Sequence, residues 1–314
     1  MSSSENNFFN YGYCEGPIVI NNQEVLELRE KLENFFESKN YPIKINLFEI
    51  EDENLVKKIL KIYSISNFLK FILNLSKFHN EDVCILPKFL IYRNYHIDRI
   101  YSPGIGWHRD CGGELKYKFC QENLSSKSYV FGKIGIYLQE NSEYGGSIDV
   151  IPNSHKYIKY NNYFLRKLNG FKLYFLIKFQ KFLPNFYKLI SEKVFMKILK
   201  AKTLYPKVGS IVLFDSRIVH RGTPISDKLR SKVNFDSLNY SAQKLPLEKV
   251  KFSLYVDIGS PIGFESYLYD RSKRKDQQKE LDILNYQLKK LDKFYPELAQ
   301  KIKEVFLPIM KKYN

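Results

Sequence analysis

Three side chains of the types that bind iron lie in two separated stretches of the sequence. The first stretch is Trp107-His108-Arg109-Asp110, and the second, far downstream, contains His220. Two imidazoles and one carboxylate bind one face of a ferrous ion and leave the other positions open for substrates and O₂. Residues i and i+2 of a strand point the same way, so His108 and Asp110 can both face one metal. These two residues and His220 are therefore the predicted iron ligands.

The strands that would position these ligands lie in a region where apolar residues alternate with other residues. Such alternation is typical of half-buried strands. Gly, Pro and Asn turns separate the short strands, which favours a sandwich or a jelly roll. The predicted strands are residues 85–93, 107–111, 133–138, 147–152, 209–215 and 251–257.

Helical patterns flank this region on both sides. Residues 23–39 place apolar side chains at three- and four-residue steps, which predicts an amphipathic helix, and residues 51–78 continue the helical pattern. The charged run over residues 272–312 has a stripe of leucines and is expected to pack on this helical flank. Residues 1–16 are expected to form a loosely held arm, followed by a short strand over residues 16–20.

Residues 156–205 interrupt the strand pattern with aromatic runs and interleaved lysines. They are predicted to form two or three basic helices inserted between strands. A helical layer packed on the sheet, with its lysines facing water, is the favoured interpretation. The alternatives are a lid over the site or an amphipathic surface for peripheral contact with membranes or acidic ligands.

The composition is that of a globular protein with a basic surface. Of the 314 residues, 44% are apolar and 16% aromatic, which argues against a disordered chain. The formal charge of +16 permits a nucleic-acid partner. Lys, Asn, Ile, Tyr and Phe are all abundant, however, as an AT-rich genome would produce. Biased codon usage over a solvated surface is therefore the favoured interpretation of the charge.

The cysteines and the hydropathy pattern indicate the compartment. None of Cys14, Cys84, Cys111 and Cys120 belongs to a CxxC pair, and the first residues do not read as a secretory signal. Both features favour a reducing, cytoplasmic setting. No stretch reaches the roughly 18 uninterrupted apolar residues of a membrane span, so a soluble protein is expected.

Taken in chain order, these pieces resemble the phytanoyl-CoA dioxygenase family of iron(II)- and 2-oxoglutarate-dependent oxygenases. The resemblance spans roughly residues 12–258 apart from the insertion. A His-x-Asp pair alone occurs often by chance, and the ordered set is the stronger signal. The matching pieces are Gly16-Pro17-Ile18-Val19-Ile20, Trp107-His108-Arg109-Asp110, Ile136-Tyr137-Leu138, Gly145-Gly146-Ser147, Ile151-Pro152-Asn153-Ser154-His155 and Gly209 through Gly222.

The resemblance implies an α+β fold built on a double-stranded β-helix, a cupin-like jelly-roll barrel with flanking helices and a helical insertion. A single oxygenase domain would cover residues 1–314. Its parts would be a helical flank over about 17–80, a jelly-roll core over about 85–258, the insertion over about 156–205 and a C-terminal helical tail over about 261–314.

The resemblance also implies the chemistry. His108, Asp110 and His220 would ligate Fe(II) and form the catalytic centre. The co-substrate 2-oxoglutarate would chelate the metal through its 1-carboxylate and 2-oxo groups, and O₂ would take the last open position. Decarboxylation would then release succinate and CO₂ while a C–H bond is oxidised, with the protein supplying position and exclusion of water.

The far carboxylate of 2-oxoglutarate needs a cation, and a bidentate Arg is the usual answer. Arg230 lies ten residues after His220, close to the spacing in such enzymes. Lys251 begins the last predicted strand and occupies the place that the family usually gives to Arg. The sequence leaves both residues as candidates. Tyr137, on an inner strand, is a further candidate for a hydrogen bond to the same carboxylate.

Three functions compete at this stage. Hydroxylation of a small-molecule or carrier-linked metabolite is favoured, because halogenating relatives replace the carboxylate that Asp110 retains. An oxygenase acting on nucleic acid would need a basic groove to the iron, with aromatic side chains that hold a flipped base. A catalytically silent jelly-roll binding module is the third possibility, and the intact ligand set argues against it.

Overall fold

The computed structural model describes residues 3–39, 44–94, 108–110, 129–140, 147–155, 196–197, 199–223, 251–273 and 275–313. The candidate anchor Arg230 and residues 156–195 of the predicted insertion lie outside these residues. The helices are α1 (Ser3–Tyr11), α2 (Asn22–Lys39), a 3-10 turn (Leu47–Glu49), α3 (Glu53–Ile62), α4 (Ser66–His79), α5 (Pro261–Lys273), α6 (Gln277–Phe294) and α7 (Pro296–Tyr313). The strands are β1 (Tyr13–Ile18), β2 (Lys44–Asn46), β3 (Cys84–Asn94), β4 (Phe131–Tyr137), β5 (Ile148–Ile151), β6 (Lys202–Leu204), β7 (Ser210–Asp215), β8 (Val219–Gly222) and β9 (Lys251–Gly259).

The helical flank forms as the apolar spacing predicts. The predicted helix over residues 23–39 is α2, and the helical region over 51–78 divides into α3 and α4. The carboxylate of Asp52 caps the start of α3 by accepting hydrogen bonds from the backbone amides of Asn54 and Leu55. Asn80 adopts a left-handed conformation with a φ of 54° and ends α4.

The amino-terminal residues form a helix, so the prediction of a loosely held arm was wrong. In α1, Phe8 is 2% exposed and its ring meets the ring of His79 edge-on, with centroids 6.0 Å apart. Gly12, with a φ of 84°, follows the helix and leads into β1. Burial of Phe8 stabilises this helix through a contact with a residue that is distant in the sequence. The polar composition of residues 1–16 therefore did not indicate a helix.

Six strands of the described residues form a large sheet in the order β1-β7-β4-β9-β3-β2. All of its pairs are antiparallel. The predictions of strands over 85–93, 133–138, 147–152, 209–215 and 251–257 are confirmed by β3, β4, β5, β7 and β9.

A smaller antiparallel sheet has the order β6-β5-β8. His108 continues it beyond β8 by a single antiparallel bridge to His220. Strand β6 lies inside the stretch predicted as a helical insertion, and for residues 202–204 that prediction was wrong. Pairing with β5 decides the conformation there, since Leu204 is buried and the Thr203 hydroxyl donates to Asp149 at 2.7 Å.

The two faces of the large sheet have different chemistry. One face packs against the helices and contributes Ile134, Ile136, Leu254, Val256 and Ile258 to the main apolar core. The other face looks toward His108, Asp110 and His220. It carries cross-strand neighbours such as Lys133 opposite Asp257. We call this second face, with Lys133 and Tyr137 of β4 and Lys251, Tyr255 and Asp257 of β9, the site face.

The carboxyl-terminal residues are helical, as predicted, and form α5, α6 and α7. They pack on the large sheet as well as on the helical flank. Buried Gln287 of α6 accepts a hydrogen bond from the backbone amide of Phe89 at 3.0 Å and donates one to Asn46 at 3.1 Å. On the flank side, the rings of Phe48 and Phe294 stack with centroids 6.1 Å apart.

Gly209, just before β7, accepts hydrogen bonds through its carbonyl from the backbone amides of Val19 and Ile20, which follow β1. Replacing Gly209 with Ala is expected to destabilise the fold. Its φ is +73°, and an added Cβ would lie 2.2 Å from the carbonyl oxygen of Ile20. The strain and the overlap together are expected to lower the free energy of unfolding by about 2 kcal/mol or more, measured by urea denaturation. The control is Lys207→Ala, an exposed side chain in the same turn, which should change the stability little. Equal stability of the two variants would contradict the prediction.

The described residues therefore form a mixed helical and β architecture with antiparallel sheets. Among them, no helix combines the length and the apolar character needed to cross a lipid bilayer. The organisation of residues 1–314 as one domain stays a prediction.

Candidate metal centre

Backbone pairing brings the two histidines together. The amide of His108 donates to the carbonyl of His220 at 2.9 Å, and the amide of His220 donates back to His108 at 3.0 Å. Their rings lie 4.4 Å apart between centroids. Residues that face each other across a ladder project to the same side. The bridge therefore places both imidazoles at one point on the smaller sheet.

Asp110 completes the cluster from two residues farther along the chain. Of the strand predicted over 107–111, the structure describes residues 108–110, where His108 forms an isolated bridge and Asp110 lies at a bend. Its Oδ1 lies 3.5 Å from Nε2 of His108, and its Oδ2 lies 3.8 Å from Nε2 of His220. One ligand atom from each of the three residues lies within 4.8 Å of the others, close enough for one metal ion. The His108 side chain is 50% exposed and that of His220 is 7% exposed. The cluster is thus buried at His220 and open at His108.

His220 is held in the form that a metal needs. Its Nδ1 lies 3.1 Å from the carbonyl oxygen of Ile218, which can only accept, so Nδ1 bears the hydrogen. Nε2 then presents its lone pair on the side of Asp110. Burial lowers the pKa of His220 to about 4 against the opposing effect of Asp110. The imidazole is therefore neutral near pH 7, as a ligand must be.

Asp110 is held ionised by a lysine that lies on the site face. The Lys133 ammonium donates to Oδ2 of Asp110 at 2.6 Å. Burial alone would raise the pKa of Asp110, but Lys133, the hydrogen bond from His108 and the nearby His220 outweigh it and hold that pKa well below its usual range. The pKa of Lys133 is raised because Asp110 and Asp257 outweigh its burial.

A second polar group lies farther along the site face. The hydroxyl oxygens of Tyr137 and Tyr255 are 3.1 Å apart, and Nζ of Lys251 lies 5.0 Å from the centre of the Tyr137 ring. Burial would raise the pKa of Tyr255, but Lys251 and the hydrogen bond with Tyr137 outweigh it and lower that pKa. A buried cation beside two hydroxyls is a suitable environment for a carboxylate.

The structure brings together His108, Asp110 and His220, and it places Tyr137 beside Lys251. Sequence reasoning missed Lys133, Tyr255 and Asp257. The available signal was the alternation within two correctly predicted strands. Positions 133 and 137 share one face of β4, and positions 251, 255 and 257 share one face of β9.

The arginines that flank His220 serve the framework. Arg217 donates to Asp215 at 2.8 Å through Nε, and buried Arg221 donates to Asp149 at 2.8 Å. Arg221 alternates with His220 along β8, so the two side chains point to opposite sides of the smaller sheet. Arg221 forms an ion pair with Asp149, its cross-strand neighbour on β5.

Comparison with protein-family models gives no match, and no curated protein matches the chain. Among solved structures, one that is similar is HygX from Streptomyces hygroscopicus with nickel and 2-oxoglutarate bound. The two sequences are 14% identical, the match covers 83% of this chain and 87% of that chain, and the TM-score is 0.49. SnoK, a non-heme alpha ketoglutarate dependent carbocyclase from nogalamycin biosynthesis, is similar at 12% identity, 83% and 84% coverage and a TM-score of 0.48. AviO1 from Streptomyces viridochromogenes is similar at 11% identity, 82% and 94% coverage and a TM-score of 0.46. At these values, the case for a function depends on the geometry of the site itself.

Proposed function

We propose that this chain is an Fe(II)- and 2-oxoglutarate-dependent dioxygenase of the phytanoyl-CoA dioxygenase type. The single observation that supports this most strongly is the convergence of His108, Asp110 and His220 within 4.8 Å. Two imidazoles and one carboxylate, with open positions opposite, form the ligand set of non-heme Fe(II) oxygenases. His108, Asp110 and His220 would be both the metal ligands and the catalytic residues.

The framework would be a double-stranded β-helix. From β4 of the large sheet, the chain crosses to the smaller sheet for β5 and β6 and returns for β7. It then crosses to β8 and returns to β9. This alternation between two antiparallel sheets supports a jelly-roll barrel with flanking helices, and it gives the ligands their place on the smaller sheet, opposite the site face.

The chain would contribute binding, orientation and exclusion of water. When bound, iron and 2-oxoglutarate supply the oxidation of a C–H bond by O₂ with release of succinate and CO₂. Lys133 would orient the Asp110 carboxylate by holding its Oδ2 atom. The ring of Phe214 lies 4.7 Å from that of His220 and would shield the buried side of the centre from water.

Lys251 would bind the far carboxylate of 2-oxoglutarate. Its ammonium supplies the charge, and the hydroxyls of Tyr137 and Tyr255 supply hydrogen bonds from the same face of the sheet. Burial of this group would strengthen the charge-assisted contacts. Arg230 stays the alternative anchor predicted from the sequence.

The substrate would be a small-molecule or carrier-linked metabolite that is hydroxylated at the open side of the centre, beside half-exposed His108. No contact among the described residues favours a nucleic-acid substrate or a silent binding module. The cytoplasmic location and the peripheral membrane contact through residues 156–205 stay predictions from the sequence.

The test is succinate formation from 2-oxoglutarate by the purified chain under air, with and without ferrous iron and ascorbate. Iron-dependent succinate formation in the absence of added substrate would support the proposed cofactor pair. The companion measurement is anaerobic binding of Fe(II) and 2-oxoglutarate by calorimetry. A chain that binds neither would contradict the proposed function and would favour the binding-module interpretation.

A further inference from the structure

We infer that Asp257 is a positioning residue of the metal centre, acting on Asp110 through Lys133, and that Lys88 and Glu280 extend this control to helix α6. The inference rests on the proposed function in that it takes Asp110 as a metal ligand. It concerns a row of alternating charges, Asp110, Lys133, Asp257, Lys88 and Glu280, which we call the charge row.

Lys133 forms an ion pair with Asp110 and has a second carboxylate, that of Asp257, at the opposite position of the neighbouring strand. Its Nζ atom is 2.6 Å from Oδ2 of Asp110, and Asp257 stands directly opposite it on β9. The Lys133 side chain is 16% exposed and that of Asp257 is 8% exposed. A buried ammonium needs a counter-charge. A divalent ion bound to Asp110 would offset that carboxylate and repel Lys133, so the charge of Asp257 would keep the ammonium in place.

The row continues from Asp257 into the helical layer. Nζ of Lys88 is 3.9 Å from Oδ2 of Asp257 and 2.5 Å from Oε1 of Glu280. Lys88 also donates to the hydroxyl of Tyr267 at 2.9 Å. Glu280 belongs to α6, so the row runs from the smaller sheet, across the site face, to the carboxyl-terminal helices.

A purely structural role accounts poorly for these charges. Buried ion pairs stabilise a fold less than, or about as well as, apolar side chains of similar volume. Elsewhere between the sheets, residues such as Val212 and Phe214 form an apolar cluster. Charged side chains at neighbouring positions are best explained by the charge that they place beside Asp110.

The experiment measures Co(II) binding by absorbance titration and thermal unfolding in the full chain. Asp257→Asn is expected to weaken Co(II) binding roughly tenfold or more, because Lys133 loses the counter-charge that balances it once the metal offsets Asp110. In a Lys133→Met background the same substitution is expected to change Co(II) binding by less than about threefold, as the double-mutant cycle requires if Asp257 acts through Lys133. Asp257→Glu, which retains the charge, should bind Co(II) nearly as the wild type does.

The matched control is Glu33→Gln, which breaks the ion pair of Glu33 with Arg93, a pair of similar burial that is remote from the charge row. It is expected to lower the melting temperature without changing Co(II) affinity. Glu280→Gln should weaken Co(II) binding by about two- to fivefold, and it provides the test if Asp257→Asn does not fold.

Three outcomes would overturn the inference while leaving the proposed function intact. They are unchanged Co(II) affinity in both Asp257→Asn and Glu280→Gln, equal weakening by Asp257→Asn with and without Lys133, and an equal loss of affinity in Glu33→Gln. A wild-type chain that does not bind Co(II) would instead contradict the proposed metal centre.

Discussion

Replacing Asp110 with Ala is expected to abolish metal binding and to reduce succinate formation by roughly a thousandfold or more. Asp110 is the one anionic ligand of the three, and its two oxygens face both imidazoles. Its removal also leaves the Lys133 ammonium without the carboxylate that it pairs with, so a divalent ion would meet a repulsive charge. The measurements are Co(II) binding and 2-oxoglutarate-dependent succinate formation.

His108→Ala is the companion variant, because the His108 side chain is half exposed and its bridge to His220 uses backbone atoms. It should lose turnover and keep its melting temperature. His220→Ala is less informative, since truncation of a buried ring also leaves a cavity. Glu15→Ala, at an exposed carboxylate of β1, should leave metal binding unchanged. Turnover retained by either Asp110→Ala or His108→Ala would remove the assignment of the metal ligands.

Lys251→Met is expected to raise the concentration of 2-oxoglutarate required for half-maximal turnover by about 10- to 100-fold, the loss typical of one buried charge-assisted contact. Metal binding should stay unchanged, because the Lys251 ammonium lies over the Tyr137 ring and outside the three-ligand cluster. Kinetics at varied 2-oxoglutarate concentrations, together with Co(II) titration, separate the two effects.

The matched control is Lys202→Met. Nζ of Lys202 lies 5.5 Å from the centre of the Tyr13 ring, a lysine–tyrosine geometry similar to that of Lys251, but its residue is exposed on β6. Arg230→Met should leave the requirement for 2-oxoglutarate unchanged if Lys251 is the anchor. An effect at Arg230 alone would reverse the assignment, and no effect at either residue would place the anchor elsewhere.

Local patterns were sufficient where the signal is periodic. The strands around Lys133 and Lys251 and helix α2 follow directly from alternation and from three- and four-residue apolar spacing. The same physics predicted that His108 and Asp110 face one side, because i and i+2 share a side in extended backbone. These properties depend on a few neighbouring residues and are therefore readable from the chain.

Long-range pairing was beyond such patterns. Helix α1 is stabilised by burial of Phe8 near His79, and β6 by pairing with β5. Each is a tertiary contact that outweighs local propensity. The prediction of a helical insertion failed at residues 202–204 because it did not take pairing with β5 into account.

For the site, the sequence by itself determined the ligand types and the spacing of His108 and Asp110. Only the tertiary structure decided that His220 pairs with His108, that Lys133 holds Asp110, and that Asp257 lies opposite Lys133 on β9. The reason is physical: spacing along a strand determines which way a side chain points, whereas register between strands determines what it meets. That register depends on the packing of the whole sheet.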